Sequence, residues 1–87
     1  MKQQWTDRGW DNYLFWQTQD KKTLRRLNDL IKVIERSPYE GLGKPEPLKH
    51  DLSGWWSRQI DDVNRIVYRI KDGHLEISQC KGHYSDK

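Results

Sequence analysis

The segment from residue 64 to residue 81 reads NRIVYRIKDGHLEISQCK and decides the fold. Apolar and polar residues alternate on both sides of Asp72-Gly73, as in strands that bury one face. An Asp-Gly pair suits the type I′ turn of a two-residue hairpin. The segment therefore predicts two antiparallel strands whose pairing, continued outward from the turn, sets Arg65 opposite Cys80. The side chains expected on the buried face are Ile66, Tyr68 and Ile70 on one strand and Leu75 and Ile77 on the other.

Two helices are predicted upstream of this hairpin, joined by a short turn at residues 18–20. Thr6 is placed to cap the first helix and Asp20 the second, because both residue types accept hydrogen bonds from free backbone N–H groups. Ser37-Pro38 ends the second helix, since proline disfavours helical geometry in the residue before it. The first helix has helical spacing at Trp10, Tyr13, Leu14 and Gln17, with Phe15 and Trp16 beside them. The second has it at Leu24, Leu27, Ile31 and Ile34, with Leu30 beside them.

Three further segments complete the predicted order. Residues 2–5 form a short first strand, residues 38–54 form a long ordered loop with a short strand near Leu48, and residues 55–60 form another strand. The order β-α-α-β-β-β predicts an α+β domain, in which a helical hairpin packs on one face of a mostly antiparallel sheet. The residues expected on the opposite face are Arg65, Val67 and Arg69.

The composition limits the classes of protein to which the chain can belong. Apolar and charged residues each make up 33% of the 87 residues, so five tryptophans and four tyrosines must supply much of the buried area. A formal charge of +3 favours an anionic partner. The amino terminus lacks the apolar stretch of a signal peptide, and no apolar run is long enough to span a bilayer. With a single cysteine, the chain is expected in the cytoplasm, without a membrane partner.

Three side chains could together cleave RNA without a metal ion. The RNA 2′-hydroxyl can attack the adjacent phosphate if a base takes its proton, cations stabilise the phosphorane and an acid protonates the departing 5′-oxygen. Glu46 is the candidate base, because Pro45 and Pro47 hold its backbone extended. Arg65 is the candidate phosphate-binding cation. His83 is the candidate acid, since histidine titrates near neutral pH.

Each candidate also has a structural interpretation, which the residues alone leave open. Glu46 could be a solvated glutamate in a stiff linker, Arg65 could pair with a carboxylate on a neighbouring strand, and His83 could be a solvated tail residue. Cys80, the single cysteine, is expected to be a small buried strand residue rather than a nucleophile.

Basic residues surround the candidate base. Lys44 and Lys49 flank Glu46, and His50, next to Lys49, is expected to contact phosphate or to cap the loop. The three histidines lack the spacing of a metal-ligand set, and no cysteine pair accompanies them. Neither a metal ion nor another cofactor is therefore expected.

The chain resembles a known family of proteins. The chain is similar over nearly its whole length to the YoeB toxins of the RelE/ParE superfamily, the toxin halves of type II toxin–antitoxin pairs. A Lys-Pro-Glu-Pro-Leu-Lys loop combined with a terminal His-Tyr is the most specific part of the resemblance. The residues that carry it are Trp5, the range 10–14, Trp16, the ranges 43–50, 52–54, 56–58 and 65–68, and His83-Tyr84.

The resemblance implies a microbial RNase-like fold and cleavage of mRNA in the A site of the 30S subunit of the 70S ribosome. It gives Glu46 the role of general base, Arg65 that of stabilising the transition-state phosphate and His83 that of general acid. Tyr84 would position substrate, and Lys49, with Lys44 and His50 nearby, would contact phosphate. It also implies a YefM-like antitoxin partner and allows a homodimer, on which the sequence itself is silent.

Two departures from the family pattern are visible. Gln59 stands where the family often has a second arginine near the scissile phosphate, and residues 85–87 extend a toxin domain expected to cover residues 1–84. Two other functions stay open as alternatives: a ParE-like gyrase poison, which needs no acid–base set, and a noncatalytic ribosome- or RNA-binding module.

Overall fold

The computed structural model describes residues 1–83, and it confirms the predicted α+β architecture. Two helices pack on one face of a five-stranded sheet whose strand order is β1-β5-β4-β3-β2. All pairings are antiparallel except that of β1 with β5. The elements are β1 (Lys2–Trp5), α1 (Asp7–Gln19), α2 (Lys21–Arg36), β2 (Glu46–Pro47), a 3-10 turn (His50–Leu52), β3 (Trp56–Gln59), β4 (Arg65–Lys71) and β5 (His74–Gln79).

The central hairpin forms as its sequence predicts. Asp72 and Gly73 have φ values of 53° and 74°, the left-handed geometry that a type I′ turn requires at both central positions. β4 and β5 pair on either side of it, with Ile70 opposite Leu75 and Tyr68 opposite Ile77. These side chains face the helices, and the prediction for the buried face is confirmed.

The β4–β5 pairing shifts by one residue farther from the turn. Tyr68 lies opposite Ile77, but Val67 lies opposite Gln79, so Ser78 has no partner on β4. After such a bulge, each side chain points to the face opposite the one that regular pairing would give it. Ile77 and Cys80, three residues apart, are consequently both fully buried on the helix side.

The predicted pairing of Arg65 with Cys80 is wrong because of this bulge. The backbone N–H of Arg65 donates instead to the carbonyl of Gly82 at 3.0 Å. Cys80 is buried as expected, but it lies just beyond β5 rather than within it. The shift brings the residues before His83 alongside the start of β4.

Both helices begin at the predicted caps. The Thr6 hydroxyl accepts a hydrogen bond from the N–H of Gly9, and the Asp20 carboxylate accepts from those of Lys22 and Thr23. α2 buries its predicted stripe, and its last residue precedes Ser37-Pro38. The core cluster consists of Trp16, Leu27, Leu30, Ile31, Ile34, Ile60, Ile66, Tyr68, Leu75, Ile77 and Cys80.

The stripe predicted for α1 is partly wrong. Gly9 and Trp16 are buried and Tyr13 packs against the core. The other predicted members of the stripe, Trp10, Leu14, Phe15 and Gln17, are exposed. The rotation of the helix is set at Gly9, because a Cβ there would lie only 2.8 Å from the carbonyl oxygen of Ile77. Close contact between backbones, rather than apolar periodicity alone, selects the face of α1 that packs on β5.

No helix in residues 1–83 is long and apolar enough to cross a membrane.

A substitution at Gly9 tests this close contact. Helix propensity alone would make Gly9→Ala stabilising by about 1 kcal/mol. We expect the opposite, a loss of about 1–3 kcal/mol in the free energy of unfolding, because the methyl group would force α1 away from β5. Chemical denaturation measures it, with Arg8→Ala at the exposed neighbouring position as the control. An unchanged or increased stability for Gly9→Ala would contradict the packing described here.

Candidate functional site

The face of the sheet opposite α1 and α2, here called the open face, carries the candidate catalytic residues. Cross-strand partners point to the same face, so the register defines a row across four strands: Glu46 on β2, Ser57 on β3, Val67 on β4 and Gln79 on β5. Three strand spacings separate the ends of this row, roughly 14 Å between Cα atoms. The middle of the row is buried, whereas Glu46 at its end is exposed.

Arg65 lies next to this row. It pairs with Gln59 on β3, so both side chains point to the open face with Ser57 and Val67. The guanidinium of Arg65 is anchored through Nη1, which donates to the carbonyl of Asp61 at 3.0 Å and to that of Asn64 at 3.2 Å. Within residues 1–83 its Nε and Nη2 atoms have no hydrogen-bond partner and can meet a phosphate.

The described residues do not show Arg65 paired with a carboxylate on a neighbouring strand, which was its alternative structural role. Its acceptors are backbone carbonyls rather than a carboxylate on a neighbouring strand. The ion pair on this sheet instead joins Arg69 to Glu76, with Nε to Oε1 at 2.8 Å, and it lowers the pKa of the Glu76 carboxyl. Arg69 also lies 4.4 Å from the centre of the Trp55 ring. Within residues 1–83 the two arginines of β4 thus differ, because Arg69 forms an ion pair whereas the guanidinium of Arg65 hydrogen-bonds to backbone carbonyls.

His83 lies at the Arg65 end of the open face. The carbonyl of the preceding Gly82 accepts the N–H of Arg65, and the carbonyl of His83 accepts Nε2 of Gln79 at 3.3 Å. The imidazole is exposed. The bulge at Ser78 therefore places the backbone next to His83, the proposed acid, alongside Arg65, the proposed phosphate-binding cation. Tyr84 lies outside the described residues.

The basic loop residues flank β2 as expected from the sequence. Lys44 precedes Glu46 with a φ of 55°, and Lys49 follows it as the residue before the 3-10 turn. Both lysines are exposed. His50 begins that turn with a φ of 57°, and the cap of the turn is a backbone bond to its carbonyl rather than a bond from its imidazole. The two lysines thus lie on either side of Glu46 at this edge of the sheet.

Arg58 holds the loop between α2 and β2, a role that the sequence did not predict. Its side chain is fully buried on the helix side, without a carboxylate partner in residues 1–83. Nε donates to the Tyr68 hydroxyl, Nη1 to the carbonyl of Leu42, and Nη2 to those of Ser37 and Glu40. The guanidinium thus satisfies the carbonyls of the chain that leaves α2.

A sequence signal for Arg58 did exist. In β3 the alternation of side chains places Arg58 on the same face as Trp56 and Ile60, both of which pack in the core. A charged residue at a core position of a strand is rarely tolerated unless its hydrogen bonds are satisfied. The signal therefore indicates a structural role, not a substrate contact.

Burial affects two titrating groups behind the site. It raises the pKa of the Cys80 thiol to about 12, so this cysteine is neutral and unreactive at physiological pH. Burial also raises the pKa of the Tyr68 hydroxyl, although Arg58 opposes the shift. That hydroxyl donates to the carbonyl of Pro38 at 2.6 Å. Neither group supplies a nucleophile.

A cleft of about 480 Å³ lies away from these residues, among β1, α1 and α2. Trp5, Trp10 and Tyr13 form its aromatic wall, with Lys32 and Glu35 at its rim. It holds none of the candidate catalytic residues and lies on the helix side of the sheet. The candidate site therefore lies on the open face, where the strand register brings charged side chains together, and not in this cleft.

A two-helix layer on a mixed five-stranded sheet is the architecture of solved YoeB and other RelE-like bacterial toxins. A family model described as the YoeB-like toxin of bacterial type II toxin–antitoxin systems matches residues 5–84. The chain belongs to this family.

Individual relatives agree with the family assignment. Toxin YoeB of Escherichia coli K12 is 51% identical over 84 residues, which cover 97% of this chain and all of the relative. The solved YoeB/ParE toxin of Agrobacterium tumefaciens superposes with a TM-score of 0.94 at 49% identity, covering 97% of this chain and all of that one. YoeB of Staphylococcus aureus, in a YoeB–YefM complex, has a TM-score of 0.89 at 38% identity, with 97% and 98% covered, and it has also been solved as a YoeB dimer.

Replacing Arg58 tests whether it holds the loop before β2. Lysine keeps the charge but cannot reach the four acceptors, so Arg58→Lys leaves buried carbonyls without donors. We expect the free energy of unfolding to fall by about 3 kcal/mol or more. Arg36→Lys, the same change at an exposed position at the end of α2, should stay within about 0.5 kcal/mol. Equal effects of the two substitutions in urea denaturation would show that the network is dispensable.

Proposed function

We propose that this toxin is a ribosome-dependent endoribonuclease that cleaves mRNA in the A site and so arrests translation. The observation that carries the proposal is the meeting of Arg65, Gln59 and the segment before His83 at one corner of the open face, next to the row that begins at Glu46. Family membership supports the same conclusion.

The reaction uses general acid–base catalysis without a metal ion. Glu46 takes the proton of the RNA 2′-hydroxyl, whose oxygen attacks the phosphorus while the bond to the 5′-oxygen breaks. Arg65 stabilises the negative charge of the phosphorane through the N–H groups that face away from its backbone anchors. His83 donates a proton to the departing 5′-oxygen. The products are a 2′,3′-cyclic phosphate and a 5′-hydroxyl.

Charge and exposure suit a nucleic-acid substrate. Lys44 and Lys49 are exposed beside Glu46, where they can contact phosphates on either side of the cleaved bond. α2 adds a second basic surface, and its cations form no ion pair with a carboxylate within residues 1–83. This surface faces away from the open face and can contact ribosomal RNA while the open face holds the codon. Its exposed cations are Lys21, Lys22, Arg25, Lys32 and Arg36.

The proposed protein partner is a YefM-like antitoxin. The solved complex of the Staphylococcus aureus relative joins YoeB to YefM. An acidic antitoxin segment that folds over Lys44, Lys49 and Arg65 would neutralise the open face and exclude mRNA. A homodimer, as solved for the same relative, is proposed here too. Both assemblies would operate in the cytoplasm, where translating ribosomes are available.

Cleavage of a defined mRNA on purified translating ribosomes tests the proposal. Wild type should generate new 5′ ends within the A-site codon and none without ribosomes. Glu46→Gln, Arg65→Ala and His83→Ala should each lower the single-turnover rate by about 10²-fold or more, because each removes one step of the mechanism. Arg69→Ala, an arginine of the same strand already paired with Glu76, is the matched control and should stay within about threefold.

Two results would contradict the proposal. Absence of cleavage by folded wild type, with inhibition of supercoiling by purified gyrase, would favour a gyrase poison. Growth arrest that persists in all three catalytic variants would favour a noncatalytic ribosome-binding module.

Gln59 offers a gain-of-function test. It lies directly opposite Arg65 on the open face, where an arginine would add a second cation beside the scissile phosphate. A charge-assisted hydrogen bond contributes about 1.5–3 kcal/mol, so Gln59→Arg should raise the single-turnover rate about tenfold or more. Gln19→Arg, the same change at the exposed end of α1, serves as the control. A rate for Gln59→Arg equal to that of wild type would show that this position does not reach the phosphate.

A further inference from the structure

The residues that follow β5, numbers 80–83 and here called the tail, carry His83 beyond the regular sheet pairing. Side chains of α1 fix the start of this tail. The N–H of Cys80 donates to Oδ1 of Asn12 at 3.0 Å, and the carbonyl of Cys80 accepts Nε1 of Trp16 at 2.8 Å. Two residues still separate these bonds from His83, so they alone do not determine where the imidazole lies.

Asn64 holds the tail closer to His83. The N–H of Gly82 donates to Oδ1 of Asn64 at 2.7 Å, while the carbonyl of Gly82 accepts the N–H of Arg65. Both backbone polar groups of Gly82 are therefore engaged by adjacent residues at the start of β4. Gly82 has a φ of 76°, the left-handed geometry that lets the chain meet both groups.

Asp61 orients the Asn64 side chain for this contact. Nδ2 of Asn64 donates to Oδ2 of Asp61 at 3.0 Å and to Oδ1 at 3.2 Å. The same carboxylate closes its own turn by accepting the N–H groups of Val63 and Asn64. An amide whose NH₂ group is held by a carboxylate presents its oxygen the other way, toward Gly82.

We propose that Asn64 is a positioning residue for the reaction, holding His83 beside Arg65 through the Gly82 peptide. The inference rests on the proposed function, in which His83 is the general acid. Without the Asn64 amide, the hydrogen bonds within residues 1–83 that hold Gly82 and His83 are the Arg65–Gly82 bond and the 3.3 Å bond from Gln79. The exposed imidazole then samples positions away from the departing oxygen, and its contribution to the rate falls.

The effect of Asn64 on the cleavage rate can be measured separately from its effect on the stability of the fold. Asn64 lies outside the strands, directly before β4, and the core cluster contains neither Asn64 nor Gly82. Asn64→Ala leaves the backbone bonds of Arg65 in place, including that from its guanidinium to the carbonyl of residue 64. Circular dichroism melts establish that the variant is folded. If Asn64→Ala does not fold, Asn64→Ser replaces it, because its shorter hydroxyl cannot reach Gly82.

A double-mutant cycle on translating ribosomes tests the proposal. We expect Asn64→Ala to lower single-turnover cleavage about tenfold in wild type and less than about twofold in His83→Ala, because its effect passes through His83. In Arg65→Ala the tenfold effect should persist. Asn28→Ala is the matched control, since Oδ1 of Asn28 accepts the Tyr13 hydroxyl far from the tail. It should leave the rate within about twofold.

Amide hydrogen exchange supplies a readout independent of cleavage. Asn64→Ala should speed exchange at Gly82 about tenfold or more and leave the β4–β5 core unchanged, whereas Asn28→Ala should not affect Gly82. Unchanged exchange at Gly82, an undiminished rate in Asn64→Ala beside an active wild type, or an equal loss in the His83→Ala background would each overturn the inference. A wild type that cleaves no mRNA would overturn the proposed function, and this role with it.

Discussion

The one-residue shift in the pairing of β4 with β5 determines the geometry of the site. With the regular register that the hairpin begins, Gln79 would point into the core and Cys80 toward the open face. The unpaired Ser78 reverses both, so that Cys80 fills the core beneath α1 and Gln79 reaches the His83 carbonyl. Beyond this shift the N–H of Arg65 donates to the carbonyl of Gly82, so the backbone next to His83, the proposed acid, lies alongside Arg65, the proposed phosphate-binding cation.

A second constraint acts from the opposite edge of the sheet. Arg58 binds the carbonyls of the chain leaving α2, and the N–H of Gln59 donates to the carbonyl of Gly43 at 2.7 Å. These bonds anchor the loop just before Lys44 and Glu46. Glu46, the proposed base, and His83, the proposed acid, thus lie on unrelated segments of the chain. Hydrogen bonds on the helix side hold the loop before Glu46, and hydrogen bonds to the tail hold the backbone before His83.

Much of the fold could be predicted because local rules agree with the tertiary structure. Thr6, Asp20 and the Asp72-Gly73 turn mark where elements begin and reverse, and the α2 stripe matches its buried face. The stripe of α1 and the register beyond Ser78 could not be obtained in this way. They depend on the contact of Gly9 with β5 and on a bulge, both of which are set by packing between distant segments. The roles of Arg58 and Asn64 were missed because their partners are mainly backbone groups far along the chain.

The proposed protonation of the departing 5′-oxygen by His83 can be tested directly with a modified substrate. Sulfur in place of that oxygen leaves without protonation, so it makes a general acid unnecessary. On ribosomes carrying such an mRNA in the A site, His83→Ala should cleave within about threefold of wild type, whereas Arg65→Ala should stay impaired. If His83→Ala were as defective on the sulfur-containing mRNA as on ordinary mRNA, His83 would not be the general acid.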